Sequence, residues 1–242
     1  MVKLRSARQA LAILAFHKIG QPGNGQYPTW NYIPEVTFVG HLNYLRLNRW
    51  QVIDLATFLR GLSEPHTLPE RSVLLTFDDG YRSMLTVVLP LLRRFRYPAV
   101  LFVPTGFIGR NNAFDKGIEP EEAMCNWNDL KQLERQGVSV QSHGVTHSHF
   151  SRLNSVRLRE ELAWSKAQLE NGLGKHVDVI AYPYGDAGRD PQALSRLVRG
   201  VGYRAACLYK GGMNQLPISN PYGLSRVAMG PDTNLHTELA HS

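Results

Sequence analysis

Cysteine is scarce in this chain, because its 242 residues include only Cys125 and Cys207. The two lie far apart and form no Cys-x-x-Cys pair, so the sequence indicates neither a zinc ribbon nor a disulfide framework. Two free thiols are the expected state. Long apolar runs are also lacking. The apolar segment 10–16 is too short to span a bilayer, so no stable membrane insertion is expected.

An export leader is not indicated either. The basic segment 1–8 precedes the apolar segment 10–16, but that segment runs directly into His17 and Lys18 without a small-residue cleavage site. We therefore interpret the apolar segment as containing a first β-strand and expect a leaderless, soluble, cytoplasmic protein. An export signal outside the given chain is the alternative.

The net charge of +7 comes without the marks of a nucleic-acid-binding protein. The basic residues are scattered, and the densest cluster, 93–96, ends a helical pattern where cations complement the helix dipole. Zinc-finger, RNA-recognition and basic-zipper signatures are absent, so nucleic acid is not an expected partner. Phosphate-loop, dinucleotide-binding, nucleophile-elbow and HExxH motifs are absent too, which argues against several common classes of enzyme.

Strand and helix patterns alternate along almost the whole chain, whose apolar fraction of 43% is ordinary for a globular protein. The predicted strands are 11–16, 51–53, 72–77, 99–103, 138–141, 177–182, 204–208 and 224–229. The predicted helices are 36–47, 55–62, 83–95, 127–136, 155–171 and 191–198. Such alternation favours a parallel sheet, and about eight strands in one domain of this size favour closure. We therefore predict a single α/β domain, 1–242, built as a (β/α) barrel of about seven or eight mostly parallel strands.

Three local features refine this prediction. Pro90 is expected to kink or divide the helix 83–95. Gly172 is expected to end the helix 155–171. The connection 104–126 is unusually long and follows a predicted strand, which makes it a candidate wall for a substrate.

Two adjacent carboxylates, Asp78 and Asp79, follow the strand 72–77 and precede Gly80. Successive strand side chains point to opposite sides, and glycine frees the backbone to turn, so the carboxylates are expected to diverge. One can then bind a metal while the other approaches a water on that metal. A plain turn is the alternative, because Asp-Gly is a common turn dipeptide.

His143 and His147 lie four positions apart after the strand 138–141. This spacing places both imidazoles on one side of a helical turn or a tight loop. A histidine-containing surface loop is the alternative, because His149 follows closely. In a parallel barrel the ends of 72–77 and 138–141 lie on the same side, so the two histidines and the two carboxylates are expected to converge.

Two imidazoles and one carboxylate suit zinc, cobalt, nickel or ferrous iron and leave a coordination position open for water. Such an ion lowers the pKa of the water to about 7, and a neighbouring free carboxylate can take up its proton. The residues thus predict one divalent ion, zinc before the others, and hydrolysis of an amide or an ester.

Three ordered segments resemble the signature motifs of the polysaccharide deacetylase family. They are TFDDG at 76–80, SHGVTH at 142–147 and AYPYG at 181–185. Two more segments extend the resemblance: AFH at 15–17 is similar to the opening strand of the family, and WNDL at 127–130 is similar to the helix before its histidine motif. Together the segments span most of the chain in the expected order.

The resemblance implies a distorted barrel of βα units and hydrolysis of N-acetyl groups on the amino sugars of an oligo- or polysaccharide. It assigns Asp78 as the general base and Tyr184 as the residue whose backbone N–H helps to hold the oxyanion. The metal ligands that it implies are Asp79, His143 and His147. In that reaction a metal-activated water attacks the amide carbon, and an acid protonates the departing amine.

Two departures from the family pattern concern the base and the acid. The third motif of the family often begins with an arginine that orients the base, whereas this chain has Ala181 there. Arg226, in the run 224–229, is our candidate replacement, and a surface arginine is the alternative. Leu-Ala-His at 239–241 matches the letters of the family's acid motif, but we treat that match as chance because no strand supports it. His17 is expected either to contact the sugar, to donate the proton or to be a structural histidine, and the acid stays unassigned.

The leading hypothesis is a metal-dependent carbohydrate N-deacetylase. One alternative is a deacylase of a different, lipid-linked or phosphorylated sugar amide, which the positive net charge would suit. Another is a catalytically weakened carbohydrate-binding protein that kept the fold but lost the orienting arginine and the acid. The sequence does not specify an oligomeric state.

Overall fold

The computed structural model describes residues 10–23 and 26–240, so the basic segment 1–8 and His241 lie outside the described residues. The strands are β1 (Ala10–Phe16), β2 (Lys18–Ile19), β3 (Tyr32–Ile33), β4 (Gln51–Val52), β5 (Arg71–Phe77), β6 (Ala99–Val103), β7 (Val138–Ser142), β8 (Val179–Ala181), β9 (Ala205–Gly211), β10 (Asn214–Gln215) and β11 (Leu224–Ala228). The helices are α1 (Glu35–Leu47), α2 (Leu55–Ser63), α3 (Leu89–Phe95), α4 (Trp127–Arg135), α5 (Ser155–Leu173), α6 (Pro191–Val201) and α7 (Leu235–Leu239).

Within the described residues, no helix is long and apolar enough to cross a membrane. Both cysteines are free and buried, as expected.

Most of these helices begin where a polar side chain accepts hydrogen bonds from the first free backbone N–H groups. The residues that do this for α2, α4, α5, α6 and α7 are Asp54, Asn126, Asn154, Asp190 and Asn234. Local sequence therefore sets the start of each of these helices.

The prediction that Gly172 ends α5 is wrong. The helix continues to Leu173 and ends at Gly174, whose φ of 68° is in the left-handed region. Gly172 has a packing role instead, because a Cβ built on it would lie 2.2 Å from the ring of Trp127. The glycine lets α5 approach the start of α4 closely.

The predicted division at Pro90 is confirmed. The segment begins as a π-helical turn, Met84–Val88, and continues as α3 with Pro90 in its first turn. Proline is tolerated there because the first N–H groups of an α-helix have no partner within the helix.

Seven strands close into a barrel in the order β1, β11, β9, β8, β7, β6 and β5, with β5 pairing back onto β1. Each neighbouring pair in this ring is parallel. Outside the ring, β4 lies beside β5 and β10 pairs antiparallel with β1. The predicted barrel of seven or eight mostly parallel strands is thus confirmed.

Alternate strand residues pack inside and outside the barrel. An inner cluster contains Leu11 and Ile13 of β1 and Leu74 of β5, whereas Leu14 and Leu75 pack outside against the helices. Burial of such side chains stabilises the fold by about 1.5–3 kcal/mol each. Towards the carboxyl end of the barrel the inner residues become polar, and the site described next begins there.

The parallel register brings the carboxyl ends of the strands to one level. Phe16 of β1 lies beside Phe77 of β5, and Val103 of β6 lies beside Ser142 of β7. The residues that follow these strands therefore share one end of the barrel, as expected for the active-site face of such folds.

Candidate active site

Asp79, His143 and His147 come together at this end of the barrel. Nε2 of His143 lies 3.4 Å from Oδ1 of Asp79, and Nε2 of His147 lies 3.2 Å from the same oxygen. The potential ligand atoms of the three residues lie within 4.8 Å of one another, and all three side chains are buried. The chain turns sharply after β5 because Asp79 and Gly80 both have left-handed backbone, with φ of 72° and 82°. This turn separates Asp79 from Asp78.

The donor atoms of this group fit a cation. Nδ1 of His143 lies 2.8 Å from the carbonyl oxygen of Ala181, which can only accept, so Nδ1 carries a hydrogen and Nε2 is the atom that faces Asp79. Oδ1 of Asp79 is a buried atom without a hydrogen-bond partner among the described residues. A ring nitrogen and a carboxylate oxygen attract each other at this distance only when a proton or a cation lies between them. Two imidazoles and a carboxylate are a zinc-type ligand set.

The charge of Asp79 is supported by its neighbours. Burial alone would raise the pKa of this carboxyl, but His147 and His143 hold the pKa well below its ordinary value. Asp79 is therefore an anion even without a metal, as a ligand must be.

Asp78 forms a two-pronged ion pair with Arg226. The guanidinium donates from Nη1 to Oδ1 and from Nη2 to Oδ2, each at 2.7 Å. Nη1 also donates to Thr76 Oγ1 at 3.2 Å, and Nε donates to the carbonyl oxygen of Leu208 at 2.5 Å. Burial raises the pKa of Asp78, while Arg226 lowers it, and the pKa lies below the ordinary value.

The surface-arginine alternative for Arg226 is wrong, because the side chain is 0% exposed. Ala181, at the position where the family pattern often has arginine, supplies only its carbonyl, to His143. Arg226 lies instead on β11. It follows Leu224, which packs inside the barrel, by two positions, and residues two apart in a strand share one face. Asp78 thus pairs with an arginine from a different strand than the resemblance implied.

The two aspartates and the two histidines line a cavity of about 180 Å³. Its walls are formed by His17, Asn31, Asp78, Asp79, Asp115, Ile118, Glu119, His143, His147, Tyr184 and Tyr209. Five of them were not singled out from the sequence: Asn31, Tyr209 and three residues of the connection 104–126, which was predicted only as a segment, Asp115, Ile118 and Glu119. Tyr209 could have been found, since it continues the inner face of β9 from Ala205 and Cys207 at the period of two.

The long connection 104–126 contributes Asp115, Ile118 and Glu119 to the cavity wall. It is fixed to the segment after β1 by the buried Lys18, whose Nζ lies 2.7 Å from Oε2 of Glu119. Asn31 donates to Oε1 of Glu119 at 2.8 Å. The prediction that this connection borders the site is therefore supported by its placement.

Asp115 differs from the other acids of the cavity. It is 7% exposed, and its side chain has a weak hydrogen bond from the Tyr81 hydroxyl at 3.4 Å. Burial, with the nearby Asp79, raises the pKa of Asp115 to about 6. Because its only side-chain hydrogen bond among the described residues is weak, the Asp115 carboxyl can bind a ligand in the cavity.

His17 and Tyr184 lie far apart in the sequence, and both border the cavity. Nε2 of His17 lies 4.0 Å from Oδ2 of Asp78, and its Nδ1 lies 3.5 Å from the Tyr209 hydroxyl. Burial lowers the pKa of His17 despite the nearby carboxylates. The Tyr184 ring is 46% exposed and stacks on His149 at a centroid distance of 4.0 Å.

Comparison with known proteins identifies a family. The sequence model described as polysaccharide deacetylase matches residues 66–206. YxkH of Bacillus subtilis (strain 168), named after the same family, is 25% identical over 221 residues, which are 91% of this chain and 72% of that protein. The poly-beta-1,6-N-acetyl-D-glucosamine N-deacetylase of Staphylococcus aureus (strain MRSA252) is 24% identical over 85% of this chain and 71% of its own length. Among solved structures, the Streptococcus pyogenes deacetylase PplD in complex with acetate has the same fold, with a TM-score of 0.80 and 20% identity over 97% of this chain and 98% of its own.

Proposed function

This chain belongs to the polysaccharide deacetylase family, and we propose that it removes N-acetyl groups from the amino sugars of an oligo- or polysaccharide by metal-dependent hydrolysis. The reaction class is hydrolysis of a carbon–nitrogen bond, as in the N-deacetylases that it resembles. The observation that carries the proposal is the buried Asp79–His143–His147 group with Asp78 beside it in one cavity. The name of the Staphylococcus relative favours a β-1,6-linked N-acetylglucosamine polymer as the substrate.

In this proposal each side chain has a defined task. Asp79, His143 and His147 would hold one divalent ion, zinc before cobalt, nickel or iron. When bound, the ion supplies Lewis acidity, which polarises a carbonyl and makes a water more acidic. Asp78, kept ionised by Arg226, accepts the proton of the attacking water. The backbone N–H of Tyr184 donates a hydrogen bond to the developing oxyanion.

The proton for the departing amine is proposed to come through His17. Its Nε2 lies 4.0 Å from Oδ2 of Asp78, so a proton taken up by Asp78 has a short path to His17 and then to the amine. Asp115 is the second candidate, since its pKa of about 6 would let it donate near neutral pH.

The alternatives from the sequence are less well supported. The alternative of a catalytically weakened carbohydrate-binding protein depended on a missing arginine and a missing acid. Arg226 contacts Asp78 through two hydrogen bonds, which removes the first of these two reasons. A phosphorylated sugar is disfavoured because the residues that line the cavity include four carboxylates and no lysine or arginine. We propose that the whole chain, 1–242, is one catalytic domain, since the barrel ring draws on strands from β1 to β11.

Metal removal tests the function directly. The purified protein should release acetate from N-acetylglucosamine oligomers, lose this activity on dialysis against a chelator and regain it with one equivalent of zinc or cobalt. Acetate release is the measurement, with β-1,6- and β-1,4-linked oligomers compared. Binding of oligomers without acetate release at any metal loading would support the carbohydrate-binding alternative and contradict the proposal.

The His17 assignment predicts a dependence on the leaving group. His17→Ala should lower the hydrolysis of an N-acetyl amide about 100-fold or more, because an amine must be protonated as it departs. Hydrolysis of an activated aryl acetate should fall far less, since a phenolate departs without a proton. Rates on the two substrates are the measurement. Equal losses on both would show that His17 acts in binding or positioning instead.

A further inference from the structure

The two histidines of the metal group differ in how their rings are held. His143 donates from Nδ1 to the carbonyl oxygen of Ala181 at 2.8 Å. Nδ1 of His147 is buried and has no hydrogen-bond partner among the described residues. Metal-bound histidines are usually oriented by such a second bond. The orientation of His147 must therefore depend on its backbone and on ring contacts, with Phe114 and Tyr184 at centroid distances of 4.3 and 4.6 Å.

The 143–147 loop has left-handed backbone at two positions, Gly144 with φ of 77° and His147 with φ of 55°. Glycine adopts this conformation readily, but it is uncommon for a residue with a Cβ such as His147. Other groups must hold the loop in place. On one side, the N–H groups of Thr105 and Gly106 donate to the carbonyl oxygens of Gly144 and Val145 at 3.0 and 2.9 Å.

Glu161 of α5 holds the other side of this loop. Its Oε2 accepts from the N–H groups of Val145 and Thr146 at 2.7 and 2.9 Å, and its Oε1 accepts from the Thr146 hydroxyl at 2.6 Å. The side chain is buried, at 7% exposure. A Cβ built on Gly144 would lie 3.0 Å from Oε2, so the carboxylate fits tightly against the loop. Hydrogen bonds to a charged acceptor are short and strong.

We propose that Glu161 is a positioning residue of the metal centre. By holding the peptide groups before His147, it does for that ligand what the Ala181 carbonyl does for His143. The proposal rests on the proposed metal-dependent function and adds to it a residue of a flanking helix that lies outside the cavity. Loss of Glu161 should weaken metal binding more than it weakens the fold.

The test measures metal affinity without turnover. Apo proteins are titrated with zinc against a chromophoric chelator, and their melting temperatures are recorded without metal. Glu161→Leu should weaken zinc binding about 10–100-fold, the usual effect of losing a partner that orients a ligand. Glu161→Gln should recover most of the affinity, because its amide oxygen can accept the same two backbone N–H groups.

Two controls lie on the same helix. Glu160→Gln removes a neighbouring carboxylate that pairs with Arg157 near the surface, and it should change neither quantity. Leu169→Ala removes a buried side chain two turns further on, so it should lower the melting temperature yet leave zinc affinity within about twofold. An equal loss of zinc affinity in Leu169→Ala and Glu161→Leu would overturn the proposal, as would unchanged affinity in Glu161→Leu.

Should Glu161→Leu not fold, Thr146→Val serves in its place. It removes the hydroxyl that donates to Oε1 of Glu161 and contacts the Ser148 hydroxyl at 2.7 Å, and it should weaken zinc binding about fivefold, whereas Ser148→Ala, which removes only the second contact, should not. Unchanged affinity in that variant would overturn the positioning role. The wild-type titration separates the two levels of inference: a wild type that binds no metal contradicts the proposed function itself, whereas a wild type that binds zinc together with unaffected variants contradicts only the role of Glu161.

Discussion

Asp78→Asn is expected to lower acetate release about 10²–10⁴-fold while the protein still binds its metal. Asparagine has nearly the shape of aspartate but cannot accept a proton from water at neutral pH. The groups that would hold the ion, Asp79, His143 and His147, are unchanged, and their ligand atoms already lie within 4.8 Å of one another. Turnover on N-acetylglucosamine oligomers and metal content per chain are the two measurements.

The neighbouring carboxylate provides the matched control. Asp79→Asn makes the same chemical change one residue away but removes a charged ligand atom, so this variant should lose metal and turnover together. His143→Ala should behave in the same way. Both aspartate variants would then lose turnover, and only their metal content would distinguish them. Turnover within tenfold of the wild type in Asp78→Asn, or loss of its metal, would contradict the role of Asp78 as the base.

The sequence predicted the barrel because its signals are local. Strands such as β1 and β6 are continuous apolar runs between turns, and their bounds were correct to about one residue. The predicted strand 177–182 is shorter, Val179–Ala181. The amide oxygen of Gln141 accepts the N–H groups of Asp178 and Val179 in place of a neighbouring strand. The pairs β2–β3 and β1–β10 involve strands of two residues, which only tertiary contacts define.

The residues of the site also differ in how well local sequence predicts them. The residues that the sequence brought together, Asp79, His143 and His147, lie directly after strands whose ends the parallel register aligns. Asn31 and Asp115 were missed because they lie on long connections, where position along the chain says little about position in space. Their places depend on contacts such as Lys18 with Glu119, across 101 positions of the sequence. The pairing of Arg226 with Asp78 spans 148 positions and requires closure of the barrel.

Replacement of Arg226 by methionine is expected to destabilise the fold by about 3–5 kcal/mol at neutral pH, because Asp78 would remain buried without its cation. In the wild type, burial raises the pKa of Asp78 and Arg226 lowers it below the ordinary value. The ionised pair therefore contributes stability above the pKa of the unfolded chain, and this contribution is lost as the pH falls through the folded pKa. Urea unfolding of the metal-free proteins measures the difference.

In Arg226→Met, the contribution of Asp78 to the free energy of unfolding should depend on pH with the opposite sign. Without Arg226, burial raises the pKa of Asp78 in the folded state, so the folded variant binds a proton more tightly than the unfolded chain does. The deficit relative to the wild type should then shrink as the pH is lowered from neutral to about 5. The acidic limb of the rate profile should move to higher pH, because the base must be deprotonated to act.

A double variant separates an ion pair from simple packing. Adding Asp78→Asn to Arg226→Met removes both charges, so the double variant should be less destabilised than the sum of the two single variants, by about 0.5–3 kcal/mol. Arg157→Met is the surface control, since Arg157 pairs with Glu160 but is 67% exposed, and its stability should change by less than about 0.5 kcal/mol. The interpretation would be contradicted if the losses in the free energy of unfolding were strictly additive in the double variant, or if the loss in Arg226→Met did not depend on pH. Either result would mean that Arg226 stabilises the fold by packing and does not keep Asp78 ionised.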